Sequence, residues 1–452
     1  MTPALLRPSP ALAAWVLLAC NAPGDSADDA GATTATTGQG GSSSAAPTGA
    51  TDDPSGGAPT TSGIGGSASQ GTSGTDATGD AMTTAGDATT TTPATTGDAT
   101  TGDGTGDTTT GASEWDGEPL PPEVPGAWMW VDFPESRCRN GTTTGIGVRY
   151  GASDKLAIFF EGGGACFNTA TCLLNDGFSN FGSLQFDAWK LGIGVGGIFD
   201  KDADDNPVAD WSFIYVPYCT GDVHAGDKTD AGVPGVFGAQ QFVGYRNVAL
   251  YLERLVPTFA AATQVLVTGQ SAGGFGAAFN YDRIVDAWPE AQVTLLDDSG
   301  PPFTDMYLAP CLQAEWRELW NLDDTIPADC DECFGADGGG ISNLALYLAA
   351  KHPDQHLALI SSLQDAVIRT FFGYGMNDCK GGLMSGAQFE AGLHDFRDNV
   401  LGDDPAWGSY LISGSNHTVV GGPGYYSTKV DGTRLVDWIA DLLQGQTVHI
   451  EP

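Results

Sequence analysis

A short stretch in the middle of the chain constrains the fold more than any other feature. Residues 264–268 form an apolar run rich in β-branched side chains, typical of a buried strand, and a helical pattern follows at residues 277–287. Between them, residues 269–273 fit the pattern G-x-S-x-G. Strand, tight turn and helix is the setting in which this pattern exposes a nucleophilic serine, because the two glycines avoid backbone clashes. We therefore predict that Ser271 is a nucleophile.

With 64 glycines in the chain, the pattern alone also fits an ordinary glycine-rich turn, so its surroundings must decide. Apolar strand-like runs alternate with helical patterns, which predicts an α/β fold of the α/β-hydrolase type, with a mostly parallel central sheet and helices on both faces. The predicted strands are residues 128–133 and 144–150, as a leading hairpin, then 156–161, 211–218, 264–268, 292–296, 357–361 and 409–412. The predicted helices are residues 248–255, 280–287, 341–351 and 433–443.

Polar candidates follow the later strands. Asp365 comes after the run at 357–361, and His417 comes after the last run and before the closing helix. The order Ser271, Asp365, His417 is the order of the catalytic triad in α/β-hydrolases. Asp298 follows an earlier strand and is the rival for the acid, although it could instead brace turns through side-chain hydrogen bonds.

The strand at 156–161 runs into Gly162, Gly163 and Gly164. In the α/β-hydrolase plan, this loop supplies one donor to the oxyanion hole, and the N–H after the nucleophile, here Ala272, supplies the other. A merely flexible loop is the alternative, and nearby cysteines disfavour it. No cluster of metal ligands stands out, so we expect neither a metal nor a cofactor.

The N-terminal quarter differs in composition. In residues 1–20 a single charge precedes a short apolar run that ends in Leu-Ala-Cys, which predicts a lipoprotein signal peptide with lipid on Cys20, or a plain signal peptide. Residues 21–113 are rich in Thr, Gly, Ser and Asp and lack aromatic residues, which predicts a disordered tether before a catalytic domain at 114–452. We expect an exported protein anchored at the cell envelope or surface, or secreted if the lipid is absent.

Charge and cysteine content narrow the function further. A net charge of −38 makes a nucleic-acid partner very unfavourable. Nine cysteines leave an even number once Cys20 is set aside, which is typical of disulfides in an exported protein. The C-x-x-C at 330–333 lacks the second pair that a zinc site needs.

Several motifs together resemble the pectin acetylesterase family, which includes Notum-like carboxylesterases. They are E-G-G-G-A-C-F-N-T-A-T-C at 161–172, Y-C-T-G-D at 218–222, G-Q-S-A-G-G-F-G at 269–276, D-S-G at 298–300 and N-H-T at 416–418. The resemblance spans residues 128–443 and implies a metal-free serine esterase. Family members often carry a bulky aromatic residue where Gly164 stands, so we expect a different acyl pocket here.

The resemblance also implies roles for individual residues. It implies the nucleophile Ser271, the acid Asp365, the histidine His417, oxyanion donors at Gly163, Gly164 and Ala272, and the disulfides Cys138–Cys219 and Cys166–Cys172. We expect a serine carboxylesterase that removes O-acetyl groups from polysaccharide. The alternatives are an esterase for a longer or aromatic acyl group and a non-catalytic surface binding module. The expected partners are an acylated glycan or another ester, and a membrane through lipid on Cys20.

Overall fold

The computed structural model describes residues 115–402 and 404–452. The predicted signal peptide, Cys20 and the tether lie outside the described residues. The strands are β1 (Trp128–Phe133), β2 (Thr144–Arg149), β3 (Lys155–Phe160), β4 (Ser212–Val216), β5 (Lys228–Ala231), β6 (Gln240–Phe242), β7 (Gln264–Gln270), β8 (Gln292–Asp298), β9 (His356–Ser362), β10 (Trp407–Ile412), β11 (Lys429–Val430), β12 (Thr433–Arg434) and β13 (His449–Ile450).

The α-helices of five or more residues lie between these strands. They are α1 (Thr169–Leu174), α2 (Ser183–Trp189), α3 (Gly244–Thr258), α4 (Ala272–Ala287), α5 (Pro310–Trp320), α6 (Asn343–Lys351), α7 (Ile368–Phe372), α8 (Gly386–Phe396) and α9 (Leu435–Leu442). Within the described residues, no helix is both long and apolar enough to cross a membrane.

Nine strands form one sheet in the order β1-β2-β4-β3-β7-β8-β9-β10-β13. From β4 to β13 all neighbours are parallel, and β2 is antiparallel to both of its neighbours. The predicted leading hairpin and the mostly parallel sheet are therefore confirmed.

Alternate residues of the central strands belong to two separate hydrophobic clusters. In β3, Ile158 and Phe160 pack in the cluster that includes side chains of α3, α4, α5, α6 and α8. Ala157 and Phe159 pack in the other cluster, with side chains of α2 and α9. Because successive side chains of a strand point to opposite faces, this division places helices on both sides of the sheet, as predicted.

The helices differ from the sequence prediction in where α4 begins and in the presence of α1, α2, α5, α7 and α8, which were not predicted. α4 begins at Ala272, directly after Ser271, and not near residue 277. Its first turn carries Gly273 and Gly274, which the sequence pattern suggested were loop. The close approach of β3 requires the first glycine, and that of Asp297 in β8 requires the second. The pattern also missed α5, whose apolar residues Leu312, Trp316 and Trp320 recur at helical spacing and are buried.

Four disulfides join the eight described cysteines. They are Cys138–Cys219, Cys166–Cys172, Cys311–Cys379 and Cys330–Cys333. The first two are the pairs that the family resemblance implies, and the sequence left the other two open. The C-x-x-C motif forms one of them.

Candidate active site

Ser271 lies in the turn between β7 and α4. Its backbone has φ 57° and ψ −121°, a conformation that L-residues rarely adopt. A Cβ on Gly269 would lie 2.1 Å from the carbonyl oxygen of Gly273, and one on Gly273 would lie 2.0 Å from that of Phe160. Glycine is therefore required on both sides, which is the steric feature of a nucleophile elbow.

His417 and Asp365 lie in direct contact. His417 Nδ1 is 2.7 Å from Asp365 Oδ2. Asp365 is fully buried, and its other oxygen accepts hydrogen bonds from the N–H groups of Val367 (2.8 Å) and Ile368 (2.9 Å) at the start of α7. The carboxylate is thus fixed by the backbone on one side and meets the imidazole on the other.

Asp298, the rival acid, makes other contacts. Its Oδ2 accepts hydrogen bonds from the N–H groups of Val419 (2.7 Å) and Val420 (2.8 Å), in the loop that carries His417. Its backbone oxygen accepts the N–H of Ser271 at 2.7 Å. Asp298 therefore joins the serine turn to the histidine loop, which is the bracing role that the sequence allowed.

Within the part of the chain that the structure describes, the N–H groups of the predicted oxyanion donors have no acceptor. Among hydrogen bonds between described residues, none uses the N–H of Gly163, Gly164 or Ala272. The N–H groups on either side of the glycine loop are bonded, that of Glu161 to Val216 and that of Cys166 to Gly221. Ala272 also opens α4, where the first N–H groups have no intrahelical acceptor and the helix dipole favours negative charge.

A cavity of about 570 Å³, including its open mouth, lies beside Ser271, and Gly164 and Ala272 also line it. The rest of its wall is apolar. The lining side chains are Ala165, Phe167, Val223, Phe275, Phe279, Leu308, Trp316, Trp320, Leu322, Ile341, Ile368, Phe371 and Phe372. Such a wall suits the hydrocarbon part of a substrate.

The profile of the Pectinacetylesterase family matches residues 132–333. This part of the chain is therefore similar to the pectinacetylesterase family. It holds Ser271 and the glycine loop, whereas Asp365 and His417 lie beyond the matched residues.

Similar proteins include two carboxylesterases. The palmitoleoyl-protein carboxylesterase NOTUM of Schmidtea mediterranea is 30% identical over 161 residues, which are 34% of this chain and 29% of that protein. The palmitoleoyl-protein carboxylesterase notum2 of Xenopus laevis is 33% identical over 175 residues, which are 36% of this chain and 34% of that protein. The chain thus spans about a third of the length of these relatives.

The solved structure of the Wnt deacylase Notum from Drosophila is similar in fold. It matches with a TM-score of 0.50 at 19% identity, covering 71% of this chain and 95% of that one. The predicted α/β-hydrolase fold class is confirmed by this likeness.

Gly164 has φ +79°, in the region that favours glycine. A Cβ there would lie 3.2 Å from Cζ of Phe371. The aromatic side chain that lines the cavity at this point therefore comes from α7 and not from the glycine loop. The sequence has glycine at this position, where members of the resembled family often carry a bulky aromatic residue, and in the structure Phe371 supplies an aromatic ring beside it.

His224 and Glu161 lie behind the glycine loop. His224 is buried, with Nε2 2.9 Å from the carbonyl oxygen of Glu161, and burial lowers its pKa to about 4. This contact gives His224 a structural role. Burial raises the pKa of the Glu161 carboxyl to about 7, against the opposing effect of its interactions with Tyr215 and the N–H of Tyr218.

No group of three or more His, Cys, Asp or Glu side chains in the described part of the chain is arranged to hold a metal ion. The sequence reasoning did not find the walls of the cavity. The helical spacing of Leu312, Trp316 and Trp320 was the signal that could have revealed one of those walls.

Proposed function

We propose that this protein is a serine carboxylesterase whose acyl pocket accepts an apolar chain longer than acetyl. The observation that carries the proposal is the apolar cavity beside Ser271. An acetyl group has one methyl to bury and needs no wall of thirteen apolar residues, whereas a longer hydrocarbon chain gains free energy from each methylene it buries there. The relatives named for palmitoleoyl-protein hydrolysis support the same substrate class.

The reaction proceeds through an acyl-enzyme. Oγ of Ser271 attacks the ester carbonyl while His417 takes its proton, and the carbonyl oxygen becomes an oxyanion near the N–H groups of Gly164 and Ala272. The alcohol leaves with the proton from His417. Water then attacks the acyl-enzyme by the same route and releases the carboxylic acid. Asp365 bonds Nδ1 of His417, which leaves Nε2 for proton transfer, and stabilises the imidazolium.

A second candidate is the removal of O-acetyl groups from polysaccharide, which the name of the matched family favours. The two candidates differ in what the cavity does. In the first, the acyl chain fills it. In the second, the acetyl group stays at its mouth, and an acylated glycan contacts the outer surface.

A series of p-nitrophenyl esters from acetyl to palmitoyl separates them. We expect kcat/KM to rise at least tenfold from acetyl to octanoyl, because octanoyl adds methylenes and each one that is buried gains about 0.8 kcal/mol. Leu308→Phe, which narrows the cavity, should remove most of that rise and leave acetyl hydrolysis within about twofold. Leu346→Phe, at an exposed position of α6, is the matched control. Best activity on acetyl, with no effect of Leu308→Phe, would favour the polysaccharide deacetylase.

We also propose that the protein is exported and attached to a membrane through lipid on Cys20. Its disulfides suit an oxidising compartment. In a host that processes lipoproteins, the wild-type chain should partition into detergent and incorporate labelled palmitate. Cys20→Ala should do neither. Equal recovery of both proteins in the aqueous phase would refute the anchor.

A further inference from the structure

Asn175 contacts the peptide group that carries one of the proposed oxyanion donors. Its Nδ2 donates a hydrogen bond of 2.6 Å to the carbonyl oxygen of Gly163. That carbonyl and the N–H of Gly164 belong to the same planar peptide group. Asn175 is 1% exposed and does not line the cavity, so its side chain reaches the glycine loop from behind.

The backbone of Asn175 is held in place by several hydrogen bonds. Its N–H donates to the carbonyl of Thr171 at 2.9 Å, and its own carbonyl accepts from Phe178 N–H at 3.0 Å and from Arg139 Nη2 at 3.2 Å. The Arg139 side chain is itself buried and also reaches the carbonyl of Cys172. The amide is therefore presented to Gly163 from a fixed position.

Among the described residues, the side-chain amide of Asn175 makes one hydrogen bond, to Gly163. A carbonyl oxygen can only accept, so the NH₂ group must face Gly163. Oδ1 is then buried without a hydrogen-bond partner among the described residues. Leaving a buried acceptor unpaired costs free energy, which an apolar residue at this position would avoid. The hydrogen bond to Gly163 is the contact that asparagine makes here and an apolar residue could not make.

That bond acts on the donor in two ways. It fixes the plane of the peptide in a loop where Gly163 and Gly164 otherwise leave the backbone free to rotate. It also withdraws charge from the carbonyl and so strengthens the N–H on the far side of the same peptide, as in any chain of hydrogen bonds. Donors that are already aimed need no reorganisation when the oxyanion forms.

We propose that Asn175 is a positioning residue that orients and polarises the Gly163–Gly164 peptide for oxyanion stabilisation. This inference rests on the proposed serine esterase function. It predicts an effect on transition-state binding and little effect on the binding of the uncharged ester.

The test compares Asn175→Ala and Asn175→Asp with wild type in the full chain. For Asn175→Ala we expect kcat on an activated ester to fall about tenfold to a hundredfold, on the scale of a weakened oxyanion donor, with KM within about twofold. Affinity for phenylboronic acid, which forms a tetrahedral adduct with an active serine, should fall by a similar factor. A purely structural role would not weaken the boronate adduct in parallel with kcat.

Asn175→Asp adds a pH signature. An ionised carboxylate repels the Gly163 carbonyl, whereas a protonated carboxyl can donate to it. The ratio of variant to wild-type kcat should therefore rise as the pH is lowered. Asn247→Ala is the matched control, because Asn247 is also buried and donates to a backbone carbonyl (that of Arg137, 2.7 Å) outside the proposed catalytic residues. It should lower the melting temperature but not kcat.

The outcomes separate the two proposals. If Ser271→Ala abolishes hydrolysis but Asn175→Ala keeps kcat and boronate affinity within twofold of wild type, the positioning role is wrong and the esterase stands. If Asn175→Ala and Asn247→Ala lose kcat equally, the effect is structural and the positioning role is again wrong. If Ser271→Ala hydrolyses as fast as wild type, the esterase proposal fails, and this inference fails with it.

Discussion

The carboxylate of Asp298 accepts a hydrogen bond of 2.8 Å from the backbone N–H of Val420, three residues after His417. The same oxygen accepts the N–H of Val419, and the Asp298 backbone oxygen accepts the N–H of Ser271. Burial raises the pKa of Asp298, and these N–H donors oppose that rise. Two aspartates thus lie near the predicted histidine, one contacting its loop and the other its ring.

This division predicts different effects of the same substitution at the two aspartates. Asp298→Asn keeps an oxygen that can accept both N–H groups, so kcat should fall less than about tenfold. Asp365→Asn disturbs the tautomer and charge partner of His417, so kcat should fall by about four orders of magnitude. Steady-state kinetics of the purified variants provide the measurement. An inactive Asp298→Asn beside a near-normal Asp365→Asn would reverse the assignment of the acid.

Ser271 and His417 should behave as a single catalytic unit. Ser271→Ala and His417→Ala should each lower kcat by about four to six orders of magnitude, and the double variant should lose little more, because each change alone already disables the nucleophile. Unchanged melting temperatures would show that the fold is intact. If the two losses instead multiply, the residues act independently and the proposed proton transfer between them is wrong.

The two disulfides implied by the family resemblance should differ in what they support. Cys166–Cys172 joins residues 6 apart directly after the glycine loop, and Cys138–Cys219 joins residues 81 apart. Chain-entropy arguments assign about 2 kcal/mol of stability to the short loop and about 4–5 kcal/mol to the long one. Replacing both Cys166 and Cys172 with serine should lower kcat about tenfold to a hundredfold and lower the melting temperature only slightly.

Replacing both Cys138 and Cys219 with serine should have the opposite effect, a large fall in melting temperature and a small fall in kcat. Both quantities are measured for each double variant. If the variant at 166 and 172 keeps full kcat but loses most of its stability, the short loop is only a structural staple.

Glu161 should make stability depend on pH. Burial raises its pKa from an ordinary value of 4.5 to about 7. Between these values the folded protein binds a proton that the unfolded chain releases, so this group lowers the free energy of unfolding as pH rises toward 7. Glu161→Gln removes the effect and keeps an oxygen for the N–H of Tyr218, which is 3.0 Å from the Glu161 carboxylate.

The melting temperature of Glu161→Gln should therefore rise relative to that of wild type as the pH is raised from 5 to 8. Glu290→Gln, at an exposed position, serves as the control and should keep a constant difference. A constant difference for Glu161→Gln as well would contradict the prediction.

Eight of the nine strands of the central sheet, all but β13, and the order of the predicted triad could be derived from the sequence because each depends on local pattern. A short apolar run identifies a strand such as β7 or β9 without knowledge of its neighbours in the fold. Polar residues that follow parallel strands all lie at the carboxyl edge of the sheet. The contact between Asn175 and Gly163 could not be derived, since it depends on how the chain folds back after Cys166. The cavity could not be derived from the sequence either, because its walls come from segments that are distant in sequence.

Helix α7 lies between the two halves of the proposed chemistry. Its first N–H groups hold Asp365, while Phe371 and Phe372 at its other end line the cavity. Substitutions in this helix that reshape the pocket for a new acyl group would also shift Asp365. A gain in specificity obtained in this way would therefore lower kcat. Trp316 lines the same cavity from a different helix, α5, and stacks on Trp320, so it is the better starting point for directed evolution.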